Sequence, residues 1–276
     1  MSPLLLEELT GIASRAAAAI RAVDASHAEW RIKADRSPVT AADEAAQEVI
    51  LADLSSLLPG VPVVAEEDAD ERSVRPGADL VLVDPLDGTR EFLAGRDEFT
   101  VNIGIIIDHA PAMGVIAAPA LSRIWRGIVG RGAERLRLSP GARPSQASDL
   151  ISIRARKPPA DGIVAMVSRS HLDERTVAFL ASLPACRQIA LGSSLKFCRI
   201  AEGRADLYPR LAPTSEWDIA AGHAILAAAG GVVTTPIGNP LTYASSPDGF
   251  TVPGFLAWGD PAAARSISYD RSSSPI

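Results

Sequence analysis

The order of apolar and polar residues at the start of the chain predicts two amphipathic helices. Apolar positions recur at helical spacing over residues 3–23, and charged residues interrupt them, so this segment predicts a surface helix and not a signal peptide. A second helix is predicted over residues 40–58, and Pro59 and Gly60 end it.

Short runs rich in aliphatic residues come next and predict a β-sheet. Gly, Pro and Asp separate these runs, which is typical of turns between short strands. The connections are short enough for neighbouring strands to pair in antiparallel fashion. The predicted strands cover residues 61–65, 80–83, 99–108, 113–117 and 124–129.

In the second half of the chain, predicted strands and helices alternate. Strands are predicted over residues 163–167, 187–191 and 205–208, and helices over residues 172–183, 194–202 and 217–229. This alternation predicts an α/β fold, with an α+β subdomain over residues 1–145 and an α/β subdomain over residues 146–262. The joint lies in a stretch of Ser, Pro, Gly, Ala and Arg at 138–148, and residues 263–276 predict a flexible polar tail.

Composition limits the classes of function. The chain has 276 residues, of which 47% are hydrophobic and 22% are charged, as in ordinary globular proteins. A net charge of -6 argues against a general binder of nucleic acid polymers, which needs a basic surface. Cys186 and Cys198 match no zinc-site spacing and predict free thiols in a reduced, cytoplasmic protein. No apolar stretch reaches the length of a membrane span.

Two carboxylates follow a buried strand in the sequence Asp-Pro-Leu-Asp-Gly-Thr. Asp84 and Asp87 come directly after the strand predicted over residues 80–83. Carboxylates beside a core are costly unless a cation lies between them, and a divalent metal is the simplest such cation. An acidic turn is the alternative interpretation, because Asp, Pro and Gly all form turns. Glu66 and Glu67 follow the preceding strand, so adjacent strands could bring all these acids to one edge of a sheet.

Two further aspartates have an ordinary structural explanation as well. Asp218 opens the helix predicted over residues 217–229, where a carboxylate can cap the free amides. Thr40 and Asp43 fit a capping box at the start of the second helix. The residues alone leave both interpretations open.

Several segments together resemble the inositol monophosphatase superfamily. Its two signatures correspond here to VDPLDGTREF at residues 83–92 and WDIAAGHAILAAAGG at residues 217–231. The chain is more similar still to the 3'(2'),5'-bisphosphate nucleotidase branch, the CysQ type, through AEED around Glu66, VSRSH ending at His171, and GSSLKFCRIAEGRADLYPR at residues 192–210. The resemblance implies a layered αβαβα sandwich.

The resemblance also implies a metal site. Glu66, Asp84 and the carbonyl of Leu86 would bind one ion, and Asp84, Asp87 and Asp218 a second. Oxygen ligation of this kind suits Mg²⁺, with two or three ions per site and Glu66 assisting a weaker third. The implied catalytic residues are Asp43, Glu66 and Thr89, with Thr89 hydrogen-bonded to Asp43 so that it orients the attacking water.

The implied reaction is removal of the 3'-phosphate from 3'-phosphoadenosine 5'-phosphate, a small nucleotide bisphosphate. The amides of Gly88 and Thr89 would hold the phosphate that is cleaved. The residues that would contact the substrate are Leu86, Asp87, Gly88, Thr89, His171, Ser193, Lys196, Arg210 and Asp218. The resemblance further implies a role in sulfate assimilation, inhibition by lithium, and a cytoplasmic enzyme that can be peripheral at the inner membrane, with monomer and homodimer both open.

Two alternatives stand beside this interpretation. An inositol or sugar monophosphatase shares every metal ligand, and on sequence alone Lys196 could be a solvated helix residue, Arg210 a strand-end charge and His171 a helix cap. A non-catalytic metal- or phosphate-binding regulator is the second alternative. It is disfavoured because all the residues of the catalytic motifs are present.

Overall fold

The computed structural model describes residues 1–23, 30–32, 38–68, 79–245 and 249–267. Its helices are α1 Pro3–Ala22, α2 Ala41–Leu57, α3 Thr89–Leu93, α4 Glu174–Ser182, α5 Leu195–Ala201, α6 Glu216–Ala228 and α7 Pro261–Ser266. Its strands are β1 Trp30–Ile32, β2 Pro38–Thr40, β3 Val63–Ala65, β4 Leu80–Asp87, β5 Thr100–Ile107, β6 Ala110–Ala118, β7 Arg123–Ile128, β8 Gly132–Arg137, β9 Ser148–Ile153, β10 Ile163–Ser168, β11 Cys186–Leu191, β12 Leu207–Arg210, β13 Thr214–Ser215, β14 Val232–Thr234, β15 Thr251–Val252 and β16 Phe255–Trp258.

The strands form two main sheets. The larger sheet has seven strands in the order β3-β4-β5-β6-β7-β8-β9, in which β3 and β4 are parallel and the other pairs are antiparallel. The smaller sheet has five strands in the order β11-β10-β12-β16-β14. The antiparallel pairing predicted for the first half is therefore confirmed.

The two sheets and the helices stack in five layers. Helices α1 and α2 pack on the outer face of the large sheet, and α5 and α6 lie between the two sheets. Helices α4 and α7 cover the outer face of the small sheet. The residues of β4 alternate accordingly, since Leu80 and Leu82 face the central core whereas Val81 and Val83 face the core under α1 and α2. This confirms the predicted α/β class and its layered αβαβα arrangement.

Helix α6 approaches the large sheet closely because the residues on both sides are small. A Cβ atom added to Gly104 would lie 2.8 Å from Ala220 Cβ, and one added to Gly114 would lie 2.3 Å from the Ala221 carbonyl oxygen. Neither distance is compatible with a real side chain. The glycines of β5 and β6 therefore let α6 lie directly on the sheet, which brings Asp218, in its first turn, toward the end of β4.

The structure changes several predicted boundaries. Strand β4 continues to Asp87, beyond the predicted end at residue 83. The predicted flexible tail from residue 263 is wrong in its first part, because α7 spans Pro261–Ser266 and buries Ala264 in the core under the small sheet. Residues 268–276 of that tail lie outside the described residues. The subdomain division at residue 145 stays a prediction, and β9, which follows it, pairs with β8 of the large sheet.

No helix in the described ranges combines the length and the apolar character needed to cross a bilayer.

Candidate active site

A cavity of about 520 Å³ opens where the end of β4 meets the first turns of α3, α5 and α6. The two halves of the chain both contribute to its lining. Eleven of the twelve residues predicted for the site line it, namely Glu66, Asp84, Leu86, Asp87, Gly88, Thr89, His171, Ser193, Lys196, Arg210 and Asp218. The roles given to these residues remain predictions, but their convergence on one cavity is a property of the fold.

The pairing of β3 and β4 brings the first acids together. The two strands are parallel with Ala65 opposite Val83, so the residues that follow, Glu66 and Asp84, emerge at the same end of the sheet. The register between β4 and β5 then shifts between Asp84 and Asp87. Pro85 lies in this shift and has no amide hydrogen for the ladder, which explains why regular pairing is interrupted at this point.

Three carboxylates form a compact cluster. Oxygen atoms of Glu66, Asp84 and Asp218 all lie within 4.8 Å of one another. Burial raises the pKa of Asp84 well above its ordinary value, and repulsion from Glu66 and Asp87 adds to this effect. Burial likewise raises the pKa of Asp218. A hard cation with oxygen ligands would remove this repulsion, so the donor set fits Mg²⁺.

Asp87 is held by two polar residues from distant parts of the chain. Its Oδ2 accepts a hydrogen bond from Asn102 Nδ2 at 3.2 Å and lies 2.7 Å from Ser194 Oγ. Asn102 belongs to β5 and Ser194 directly precedes α5. Neither residue was predicted for the site. The available signal was Asn102 itself, a polar residue inside the apolar strand TVNIGIII.

Thr89 and Asp43 form the predicted pair behind the cavity. Thr89 Oγ1 lies 3.1 Å from Asp43 Oδ1 and 3.2 Å from the Leu86 carbonyl oxygen. The other oxygen of Asp43 accepts hydrogen bonds from the Thr40 amide at 2.7 Å and from the Thr40 hydroxyl at 2.6 Å. Asp43 is therefore both part of the capping box of α2 and a partner of Thr89. Burial raises its pKa, although hydrogen bonds from Thr40 and Thr89 act in the opposite direction.

Asp218 both caps a helix and lies in the carboxylate cluster. Its Oδ2 accepts hydrogen bonds from the Thr214 hydroxyl and, at 3.3 Å, from the Ser215 amide, which completes a capping box at the start of α6. The same side chain belongs to the carboxylate cluster. Capping thus orients the carboxylate instead of excluding it from the site. We call Glu66, Asp84, Asp87 and Asp218 the acidic wall of the cavity.

Three basic residues also line the cavity, and we call them the cationic wall, namely His171, Lys196 and Arg210. Lys196 is only 3% exposed, so it is not the solvated helix residue considered above. Its Nζ donates to the carbonyl oxygens of Leu191, at 3.3 Å, and Ser193, and lies 5.0 Å from the centre of the Tyr208 ring. Among the described residues no carboxylate lies within salt-bridge distance of this ammonium group. The ammonium group is therefore stabilised by two carbonyl oxygens and an aromatic ring, and Lys196 lines the cavity.

Arg210 and His171 complete the cationic wall. Arg210 ends β12 and donates to the Pro213 carbonyl oxygen at 3.2 Å, while its Nε has no hydrogen-bond partner within the described part of the chain. His171 does not cap the next helix, because Asp173 does so. His171 lies at the cavity mouth and is exposed as a whole residue, but partial burial of its imidazole, together with the charges of Arg210 and Arg90, lowers its pKa.

Comparisons with known proteins all indicate the same family. The model of the inositol monophosphatase family matches residues 5–256. The 3'(2'),5'-bisphosphate nucleotidase CysQ of Salmonella typhimurium is 42% identical over 91% of this chain and 98% of that protein. The protein of the same name from Escherichia coli is 44% identical over 81% of this chain and 86% of its own length. The crystal structure of CysQ from Bacteroides thetaiotaomicron is 34% identical, covers 92% of this chain and 97% of that chain, and superposes with a TM-score of 0.77.

Proposed function

Because the chain belongs to the inositol monophosphatase family, we propose that it is a Mg²⁺-dependent 3'(2'),5'-bisphosphate nucleotidase that removes the 3'-phosphate of 3'-phosphoadenosine 5'-phosphate. One observation carries the choice of substrate. The cavity is lined by the acidic wall and also by a buried lysine and an arginine. A substrate with two phosphates matches both walls, since one phosphate can meet the metal-binding carboxylates and the other can meet Lys196 and Arg210.

The acidic wall has the donors that Mg²⁺ requires. Glu66, Asp84 and the Leu86 carbonyl would hold one ion, and Asp84, Asp87 and Asp218 a second, with Glu66 able to serve a weaker third. When bound, such ions lower the pKa of a water molecule and offset the negative charge that develops on the leaving oxygen. No protein nucleophile is needed for this chemistry.

Thr89 and Asp43 can orient the attacking water. If the Thr89 hydroxyl donates its proton to Asp43 Oδ1, at 3.1 Å, its lone pairs are free to accept a hydrogen bond from water. Asp43 cannot turn away, because Thr40 holds its other oxygen through two hydrogen bonds. The raised pKa of Asp43 also favours uptake of a proton that passes through Thr89.

The substrate would be held at three places. The amides of Gly88 and Thr89, at the start of α3, would bind the phosphate that is cleaved. Ser193, Lys196 and Arg210 would bind the phosphate that remains, and His171 would contact the substrate at the cavity mouth. A cytoplasmic location is part of the proposal and is supported by the free thiols of Cys186 and Cys198, which are ordinary in a reducing compartment.

A comparison of substrates tests this function. With purified protein and fixed Mg²⁺, kcat/KM is measured for 3'-phosphoadenosine 5'-phosphate, inositol 1-phosphate and fructose 1,6-bisphosphate. The nucleotide is expected to be preferred over inositol 1-phosphate by at least about tenfold, which is the value of one charge-assisted hydrogen bond to the second phosphate. A preference for either of the other substrates would make the protein a sugar or inositol phosphatase. No Mg²⁺-dependent phosphate release from any of them would favour a non-catalytic regulator.

A further inference from the structure

Glu98, a glutamate outside the acidic wall, joins two loops that line the cavity. It lies between α3 and β5, and its carboxylate accepts hydrogen bonds from Arg169 Nε at 2.8 Å and Arg169 Nη2 at 2.7 Å. The same carboxylate accepts a hydrogen bond from the Gly192 amide at 2.8 Å. Arg169 follows β10 and Gly192 follows β11, so Glu98 ties the ends of two strands of the small sheet to the loop that leads into the large sheet.

The backbone of Glu98 is packed between two glycines. A Cβ atom added to Gly192 would lie 2.8 Å from the Glu98 carbonyl oxygen, and one added to Gly88 would lie 3.0 Å from the same atom. Gly88 precedes Thr89 in the loop that would hold the cleaved phosphate. Gly192 opens the loop that carries Ser193 and leads into α5, the helix that contains Lys196. The segment around Glu98 therefore separates these two loops by little more than the thickness of its own backbone.

A second glutamate connects α3 with the loop that carries His171. Glu91 is buried, and its Oε1 accepts a hydrogen bond from Ser170 Oγ at 2.5 Å. Its Cγ would lie 2.8 Å from a Cβ atom at Gly192. The loop that bears His171 and the loop that leads into the helix of Lys196 thus both rest on glutamates from the segment that follows β4.

We propose that Glu98 is a positioning residue that sets the distance between the two ends of the substrate site. The inference rests on the proposed function, because only a substrate that reaches from Thr89 to Lys196 depends on this distance. Glu98 stays ionised at neutral pH. Burial alone would raise its pKa, but the hydrogen bonds from Arg169 and Gly192 outweigh burial and bring the pKa below its ordinary value.

The first test is the variant Glu98→Gln. The amide keeps the shape of the side chain and can still accept from Gly192, but it removes the charge that faces Arg169. The side chains of Arg169 and Glu98 are 34% and 22% exposed, so the loss is moderated by solvent. We expect kcat/KM for 3'-phosphoadenosine 5'-phosphate to fall about five- to tenfold, mainly through KM, while that for inositol 1-phosphate changes less than about twofold.

Two further variants separate positioning from a general effect on the fold. Arg169→Gln is expected to act at least as strongly as Glu98→Gln, because it also removes the hydrogen bond from Arg169 Nη2 to the Ala190 carbonyl oxygen at 3.1 Å. The double variant is expected to be no worse than Arg169→Gln alone, because that change already removes every contact between the two side chains. The matched control is Asp53→Asn, which breaks the ion pair between Arg15 and Asp53 that links α1 to α2 at 2.8 Å. This control is expected to leave both substrates unchanged.

Amide hydrogen exchange gives a readout that needs no substrate. Residues 190–196 are expected to exchange faster in Glu98→Gln than in the wild type, whereas α1 and α2 exchange as before. Unchanged exchange in this segment, or an equal loss for both substrates, overturns the proposal. If the wild type does not prefer the nucleotide bisphosphate, the proposed function fails, and the exchange of residues 190–196 still decides whether Glu98 positions the loop.

Discussion

The acidic wall of the cavity comes mainly from the first half of the chain, whereas the cationic wall comes entirely from the second half. The carboxylates of the acidic wall repel one another, and burial with this repulsion raises the pKa of Asp84. The buried cation Lys196 is instead surrounded by carbonyl oxygens and the Tyr208 ring. The acidic wall is thus suited to a shared cation and the cationic wall to an anion. Substitutions in the two walls should therefore have different consequences.

The largest expected effect comes from breaking the acidic wall. Asp84→Asn removes the charge at the centre of the carboxylate cluster, and we expect kcat to fall by at least about a hundredfold for every substrate. The metal-free variant should unfold at the same temperature as the wild type or slightly higher, since one source of repulsion is lost. Steady-state kinetics and thermal denaturation measure both effects. Retention of more than about a tenth of the activity would contradict the metal assignment.

Breaking the cationic wall should instead change the choice of substrate. Lys196→Met keeps the apolar stem over Tyr208 but removes the ammonium group. We expect kcat/KM for 3'-phosphoadenosine 5'-phosphate to fall by about ten- to 150-fold, corresponding to about 1.5–3 kcal/mol, with little change for inositol 1-phosphate.

The matched control for this variant is Lys157→Ala, because Lys157 is exposed and lies outside the cavity lining. An equal loss for both substrates in Lys196→Met would mean that Lys196 supports the catalytic residues or the fold. No change for either substrate would remove the main physical support for a nucleotidase.

Ca²⁺ is expected to inhibit the hydrolysis of all substrates alike, because it would bind at the acidic wall. Ca²⁺ is larger than Mg²⁺ and tolerates looser coordination, so it should displace the active ion and misalign the water and phosphate. Adding about 1 mM Ca²⁺ at fixed Mg²⁺ should reduce the rate at least about twofold for nucleotide and monophosphate alike. Steady activity during such a titration would argue against the proposed metal ligands.

A further comparison concerns a buried histidine that belongs to neither wall. Burial lowers the pKa of His223 from 6.5 to about 3, and its Nδ1 lies 2.9 Å from the Tyr243 hydroxyl. Below pH 6.5 the unfolded chain binds a proton that the folded chain does not, so stability falls as the pH drops from 6.5 toward 3.

This pH effect can be isolated with His223→Gln, which keeps a hydrogen-bonding group beside Tyr243. The wild type should lose up to about 1.4 kcal/mol of unfolding free energy per pH unit relative to the variant over this range. Denaturant unfolding at several pH values measures the difference. Parallel curves for the two proteins would show that His223 titrates normally in the fold.

Local sequence was sufficient to indicate Asp84 and Asp87, at the centre of the acidic wall, as candidate site residues. An apolar strand, a proline and a glycine surround Asp84 and Asp87, and these neighbours act over a few residues of chain. Reasoning from local sequence also placed the end of β4 too early, at residue 83. In the structure Asp84 and Asp87 still pair with Asn102 and Thr100 of β5. Pairing with a neighbouring strand extended β4 through residues that are poor strand formers by themselves.

Residues whose partners are distant in sequence could not be found in this way. Asn102, Ser194 and Glu98 acquire their roles only through contacts that the fold makes with residues 15 to 107 positions away in the chain. Eight strands were also missed, since short strands carry little periodic signal, namely β1, β2, β8, β9, β13, β14, β15 and β16.

The sequence by itself determined the main helices and the strands of the first sheet around the carboxylates, because hydrophobic spacing and turn chemistry are local properties of the chain. The candidate metal ligands were what the family resemblance implied. Only the tertiary structure decided that Lys196 is buried against Tyr208 and that Asp43 and Asp218 serve as caps and site residues together. These outcomes depend on how closely α5 and α6 pack between the two sheets. A short stretch of sequence does not determine this packing.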